Sequence, residues 1–361
     1  MAWTFGNPTV VEFGLGVADR LAERIAGRPW ALVTYGLDLF RERAARLARD
    51  AGDPVAVIDN IVANPDFKDL AQSCAAYAAA PRAPEVIVAL GGGSIIDGAK
   101  VLAASGGRFE TVRRHLLDKA PLEGPFPAIV AVPTTAGTGS EVTSWATVWD
   151  AANGRKYSLA DRRLYPAHAL VDPGLTTSAP RDLTLATGLD ALSHALESVW
   201  NVSANPVSST FAVTAAREIM EVLPRLLREL DSPSLRERQA RAALFAGLAF
   251  SNTKTALAHN ISYDVTLRRG VPHGIACSFP LPMVMRWAIG QDRDCDATLR
   301  LIFGDDLAAG AERLRAFLEG LGVATEPASY GFDGAAWGQL VERALDGERG
   351  RNFIGRLDRA A

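Results

Sequence analysis

Histidine and cysteine are scarce in this chain: five histidines and three cysteines in 361 residues. Cys74, Cys277 and Cys295 are too few and too scattered for a disulfide framework. None belongs to a C-x-x-C pair, so sulfur ligation of a metal is not expected. No apolar run approaches the ~18 residues that a membrane span requires. The opening stretch MAWTFGNPTVVEFG lacks a basic segment followed by a long apolar one, which argues against a signal peptide and for a cytoplasmic protein. Excess charge of one sign is missing too. A net charge of -3 gives no reason to expect nucleic acid or a membrane surface as partner. What is present is ordinary: 48% hydrophobic and 22% charged residues, in a chain long enough for two domains.

The first half alternates. Apolar runs at 29–36, 55–61, 85–94 and 127–135 read as buried strands. Helical periodicity lies between them at 41–52, 66–80 and 95–106. This is the pattern of a doubly wound, mainly parallel sheet covered on both faces. An irregular or antiparallel stretch is expected at 142–172, with KYSL and AHALVDP as short strands. After about 176 only helical patterns remain, at 182–201, 206–229, 233–250, 253–268, 281–290, 294–303, 306–321 and 334–346. The expected fold is an α/β N-terminal domain over 1–175 and an all-α C-terminal domain over 176–361, with a cleft between them.

Two loops stand at the ends of buried strands, where open α/β sheets bind ligands. Gly91-Gly92-Gly93-Ser94 leads into a helix, and glycines there let backbone N–H groups approach a phosphate. The spacing is not G-x-G-x-x-G, and a plain tight turn would use the same residues. Asp97 caps that turn or contacts a ligand. The second loop, Pro133-Thr134-Thr135-Ala136-Gly137-Thr138-Gly139-Ser140-Glu141, is small and hydroxylated. Downstream, Asp190 and His194 lie four apart on a predicted helix and so share a face. His259 and His273 follow, the latter just past the breaker Gly270-Val271-Pro272. One carboxylate and three imidazoles suit a divalent transition metal, Fe(II) or Zn(II), with a position left open for substrate.

Together these segments resemble the iron-containing, or group III, alcohol dehydrogenases. The resemblance runs nearly end to end, through Phe5-Gly6-Asn7-Pro8, Phe13-Gly14, Asn64-Pro65, Gly91 to Ser94 with Asp97 and Lys100, Pro133 to Glu141, Asp172-Pro173, Gly188-Leu189-Asp190-Ala191 with His194 and Glu197, and His259 with Gly270 to Gly274. It implies a dehydroquinate synthase-like architecture and an enzyme that interconverts an aldehyde and a primary alcohol with NADH or NADPH. It implies that Asp190, His194, His259 and His273 hold Fe(II), or alternatively Zn(II). It places the pyrophosphate on Gly92, Gly93 and Ser94, with Asp97 close by, and the nicotinamide on Thr134, Thr135, Thr138 and Thr143. Asn64 and Lys156 would contact the adenosine ribose or neighbouring groups. A homo-oligomer, in the simplest case a homodimer, is expected with the family. The related metal-dependent cyclases of the dehydroquinate synthase type use a different ligand set, so the Asp–His–His–His spacing favours the dehydrogenase.

Two positions depart from the family pattern. Tyr35 stands where many members carry an acidic residue that bonds the ribose, which leaves NADPH as plausible as NADH. Tyr263 stands where several members carry a further histidine, and serves as a substrate donor, a proton relay or packing; it is grouped here with the catalytic residues. In detail, residues 253–282 and 348–355 look most like the branch that reduces phosphonoacetaldehyde to 2-hydroxyethylphosphonate, a reaction of phosphonate biosynthesis, although Asp264 replaces a more usual proline. Lys254, Arg268 and Arg351 would supply cations for such an anion. A small uncharged aldehyde, such as lactaldehyde or 3-hydroxypropanal, is the alternative substrate.

Overall fold

The computed structural model describes residues 2–355. It divides into two compact units, one of Pro8–Thr135 with Ser140–Ala179, the other of residues 2–7, Ala136–Gly139 and 180–355. The units are therefore not two consecutive halves of chain: the tip of the hydroxylated loop counts with the helices.

The first unit contains β1 (Val10–Phe13), β2 (Trp30–Val33), β3 (Ala56–Ile58), β4 (Val86–Gly91), β5 (Ala128–Pro133), β6 (Trp145–Asp150), β7 (Arg155–Ala160) and β8 (His168–Val171). Its helices are α1 (Leu21–Ile25), α2 (Asp38–Ala51), α3 (Phe67–Ala78), α4 (Gly93–Ser105) and α5 (Phe109–Asp118). Six strands form one parallel sheet in the order β1-β8-β5-β4-β2-β3. β2 and β4 are buried along their whole length, as strands covered on both faces must be. The Asp66 carboxylate starts α3 by accepting from the backbone N–H groups of Lys68 and Asp69.

The structure corrects the reading of 142–172. β8 is not part of an antiparallel stretch; it runs parallel between β1 and β5 in the main sheet. The antiparallel partner of KYSL is β6, which pairs with β7 from Trp145 opposite Ala160 to Asp150 opposite Arg155. β1 and α5 were not foreseen. β1 is a four-residue edge strand carrying Glu12, whose carboxylate is held by Arg24 at 2.6 and 3.0 Å.

The buried Lys100 of α4 ties the hydroxylated loop to the sheet. Its ammonium donates to the carbonyls of Ser140 and Trp145, both at 2.8 Å, and to Thr143 Oγ1 at 3.2 Å. Asp97, 3.7 Å from that ammonium, accepts from the Thr147 N–H at 2.8 Å. The expected cap is thus replaced by a tie from α4 to β6, and Gly92, at the N-cap of α4, provides no side-chain cap.

The second unit contains α6 (Arg181–Val199), α7 (Pro206–Leu226), α8 (Pro233–Thr253), α9 (Leu257–Arg269), α10 (His273–Ser278), α11 (Leu281–Ala288), α12 (Arg293–Phe303), α13 (Leu307–Gly320) and α14 (Gly334–Asp346). α6 is its axis: every residue from Gly188 to Val199 is buried. A helix apolar on nearly all faces belongs at the centre of a bundle. Among the described residues no helix is long and apolar enough to cross a membrane.

Glu141 is buried beside this tie, and burial pushes its carboxyl pKa from 4.5 up to about 7, against the pull of Lys100. A raised carboxyl pKa favours the folded state at low pH, and that contribution fades as the pH rises from about 4.5 to about 7. Glu141→Gln should remove this slope, worth about 3 kcal/mol across the window. Urea unfolding of both proteins at a series of pH values measures it; parallel curves would rule out the carboxyl as the cause.

Candidate metal and nucleotide sites

Positions i, i+4 and i+7 of a helix lie on one face. On α6 these are Asp190, His194 and Glu197, all buried. α9 brings His259 to this face and α10 brings His273. α10 can lie close to α6 because residue 274 is glycine: a Cβ there would sit 1.8 Å from the Ala186 carbonyl oxygen. Three imidazole Nε2 atoms converge on Asp190 Oδ1, from His259 at 3.4 Å, His194 at 3.8 Å and His273 at 3.9 Å. His194 stacks flat on Phe250, with centroids 4.0 Å apart, and its other face meets the ring of His259 at 4.6 Å.

Glu197 organises the cluster. One carboxylate oxygen accepts from the Ala258 and His259 backbone N–H groups at 2.6 and 3.2 Å. The other accepts from the Ala256 N–H at 3.0 Å and lies 2.5 Å from His259 Nδ1. This side chain therefore serves as the missing cap of α9 and accepts a hydrogen bond from the Nδ1–H of His259. Nε2 of that ring then presents a lone pair to Asp190.

The cluster meets the chemical test for a divalent cation. Asp190 Oδ1 and His259 Nε2 are buried, face each other and have no hydrogen-bond partner. Two acceptors in a dry interior are unfavourable unless a proton or a cation lies between them, and the further nitrogens of His194 and His273 suit a cation. Burial alone would raise the Asp190 pKa, but His194, His273 and His259 hold it well below the usual carboxylate range. Burial pulls His194 down to about 4, so it is neutral at ordinary pH, as a ligand must be. Burial would also lower His259, yet Cys277, Glu197 and Asp190 raise it above its ordinary value.

One sulfur lies close to the cluster, although no C-x-x-C pair gave reason to expect it. Cys277, one turn after His273 on α10, places its sulfur 3.6 Å from His273 Nε2. The ligand atoms of Asp190, His259, His273 and Cys277 all lie within 4.8 Å of one another. The C-x-x-C rule missed it because the relevant spacing is His273-x-x-x-Cys277, a helical i, i+4 pair.

In the first unit, the turn at Gly92 gathers several predicted residues. The Asn64 N–H donates to Ser94 Oγ at 3.2 Å, from a left-handed backbone with φ 55°. A Cβ at residue 92 would meet Thr135 Oγ1 at 3.2 Å and the Tyr35 hydroxyl at 3.6 Å, so glycine is what leaves this turn open. Burial raises the Tyr35 pKa, while a hydrogen bond with Ser94 lowers it. Gly93 opens α4 behind this turn, and Thr134 is buried, its N–H on the Gly91 carbonyl. Thr143 is buried against Lys100, Thr138 is half-buried, and Lys156 lies over the Trp149 ring at 5.3 Å.

The three cations read as substrate ligands have other partners or none in the cluster. Arg268 is exposed and paired with Asp264 at 3.6 Å. Arg351 donates to the Asp346 carbonyl at 3.0 Å, and Lys254 is exposed at the end of α8. The segment after α14 docks instead at the far end of α6, where Val202 donates to the Asn352 carbonyl and Ile354 to that of Trp200. Tyr263 is half-buried, one turn along α9 from His259.

The chain thus combines a parallel α/β unit with an open glycine turn and a helical unit with a buried Asp–His cluster that could hold a metal ion. Comparison with known proteins makes this specific. Residues 8–173 match the family described as iron-containing alcohol dehydrogenase, and residues 184–355 match the C-terminal part of the Fe-containing alcohol dehydrogenase family. The chain is 35% identical to an NAD-dependent methanol dehydrogenase of Bacillus methanolicus, over 87% of this chain and 85% of that protein. It is 36% identical to a phosphonoacetaldehyde reductase of Streptomyces viridochromogenes, over 75% of this chain and 66% of that one. The crystal structure of sulfoacetaldehyde reductase from Bifidobacterium kashiwanohense in complex with NAD+ matches with a TM-score of 0.90 and 27% identity, over 99% of this chain and 96% of that one. The chain belongs to the iron-containing alcohol dehydrogenase family.

Replacing Glu197 by Gln should exchange the charged acceptor at His259 Nδ1 for a neutral one and weaken metal binding by about 10- to 100-fold. Competition with a fluorescent chelator reads the affinity; an unchanged value would mean that the carboxylate serves α9 alone. Stripping the metal from wild-type protein should lower its melting temperature, since a ligand at a hundred times its Kd adds about 2.7 kcal/mol.

Proposed function

We propose that this protein is a metal-dependent, nicotinamide-dependent reductase of a small aldehyde, working reversibly on the corresponding primary alcohol. The observation that carries this reading is the unpartnered, buried pair Asp190 Oδ1 and His259 Nε2, inside a cluster completed by His194 and His273. A divalent metal, Fe(II) or Zn(II), supplies Lewis-acid polarisation of a carbonyl, and a nicotinamide supplies the hydride. Asp190, His194, His259 and His273 would hold the metal, with Glu197 orienting His259. Gly92, Gly93 and Ser94 would receive the pyrophosphate at the uncapped start of α4, with Asn64 fixing Ser94 from behind. Thr134, Thr135 and Thr138 would line the nicotinamide. Asp97, Thr143 and Lys156 would act behind them, since Asp97 and Thr143 bond within the unit and Lys156 lies on Trp149. Tyr263, one turn past His259, would pass a proton or pack against the substrate.

NADH is supported by the names of the relatives, an NAD-dependent methanol dehydrogenase and a reductase solved with NAD+. NADPH stays in the assay because Tyr35 carries no charge to repel a 2′-phosphate. For the substrate we favour a two-carbon aldehyde with an anionic head, phosphonoacetaldehyde first. Two relatives reduce aldehydes of that kind by name. A specific observation favours the uncharged alternative: Arg268 is engaged by the Asp264 carboxylate and Arg351 by the Asp346 backbone carbonyl.

One assay separates these readings. Purified, metal-loaded protein is given phosphonoacetaldehyde, sulfoacetaldehyde, lactaldehyde and 3-hydroxypropanal with each nicotinamide, and net loss of reduced nicotinamide is followed. The anionic aldehydes should show a kcat/KM at least tenfold above the neutral ones. Equal or better turnover of the neutral aldehydes would overturn the anionic reading and leave the reductase reading standing. Turnover without any net change in nicotinamide absorbance would place the chain with the dehydroquinate synthase type of chemistry.

A further inference from the structure

Cys277 has no part in the ligand quartet, yet its position is that of a ligand. It is fully buried, with no exposed surface. Its sulfur lies 3.6 Å from His273 Nε2 and within 4.8 Å of the ligand atoms of Asp190 and His259. His194 does not belong to that tightest group, although its Nε2 is 3.8 Å from Asp190 Oδ1. The i, i+4 step from His273 to Cys277 puts nitrogen and sulfur on one face of α10, the same step that joins Asp190 to His194 on α6. The independent sign that this space takes a cation is the pair of buried, unpartnered atoms aimed into it, Asp190 Oδ1 and His259 Nε2.

We infer that Cys277 is a protein donor of the metal centre, making a set of Asp190, His194, His259, His273 and Cys277. The inference rests on the metal reading above. As the metal–sulfur bond forms, the thiol proton leaves to solvent and no electrons are transferred. Charge favours the arrangement: the Asp190 carboxylate and a Cys277 thiolate together neutralise a divalent ion in a site with little water. A thiolate is also a soft donor, so it tilts the centre toward zinc and cobalt and away from manganese and magnesium.

Cobalt(II) replacement tests this without relying on turnover. Wild-type protein loaded with one equivalent of cobalt should show a near-ultraviolet sulfur-to-cobalt charge-transfer band. Cys277→Ser and Cys277→Ala should lose it, whereas Cys74→Ser and Cys295→Ser should keep it. The zinc-over-manganese affinity ratio should fall about tenfold in Cys277→Ser. The circular dichroism of each variant checks the fold, and Cys277→Ala and Cys277→Ser report independently should one of them misfold. Stoichiometric cobalt without a sulfur band in wild-type protein would overturn the role of Cys277 and leave the histidine site intact. Failure of wild-type protein to bind cobalt any better than His259→Ala would overturn both.

Discussion

Two carboxylates buried on one face of an apolar helix are the constraint around which the helical unit is built. Asp190 and Glu197 lie two turns apart on α6, in a segment where every residue is buried. An isolated carboxylate in such surroundings is strongly unfavourable. Glu197 is compensated by protein: three backbone N–H groups and one imidazole nitrogen. Asp190 is not, since one of its oxygens faces only ring nitrogens. The first carboxylate sets the proton on His259, and the second then confronts that ring's other nitrogen. The opposition between them has two remedies, a proton or a metal ion. The raised pKa of His259 describes the first and the convergence of donors describes the second.

This division of roles ties folding to ligand binding. Glu197 holds the start of α9, and α9 carries His259. Gly274 lets α10 lie on α6, and α10 carries His273 and Cys277. The candidate ligands are thus spread over three helices that pack on a common axis, and a metal held by them would also clamp those helices. Because a bound metal displaces protons from the same nitrogens, its affinity rises with pH as the imidazoles give up their protons.

Much of the fold was legible because period is a direct consequence of packing. Buried parallel strands need unbroken apolar runs, and 29–36, 85–94 and 127–135 have them. Elements set by partners elsewhere in the chain were not legible. β8 reads like any short strand, and only its neighbours β1 and β5 make it parallel. β6 carries the inward alternation Ala146 and Val148, but its polar flanks mask it. α5 buries only Phe109, Val112 and Leu116 under a charged surface. At the site, helical spacing exposed Asp190 and His194 and also held the clue to Glu197 at i+7. Cys277 was hidden by a spacing rule suited to loops rather than helices.

The cations read from sequence as substrate ligands are not gathered at the cluster, and charge explains why. A lysine or arginine near a metal segment in sequence is free to turn toward solvent, where hydration and a surface partner suffice. Arg268 and Arg351 did so, each meeting an oxygen within five residues. A cation drawn into a buried site must instead lose water and find fixed acceptors, as Lys100 does with two carbonyls, a hydroxyl and Asp97. Burial pulls the Lys100 pKa from 10.5 to about 8, so even here the charge is kept only because those acceptors are in place. Any selectivity for an anionic aldehyde would therefore have to come from donors that the helices fix in place, and proximity in sequence is no guide to which ones those are.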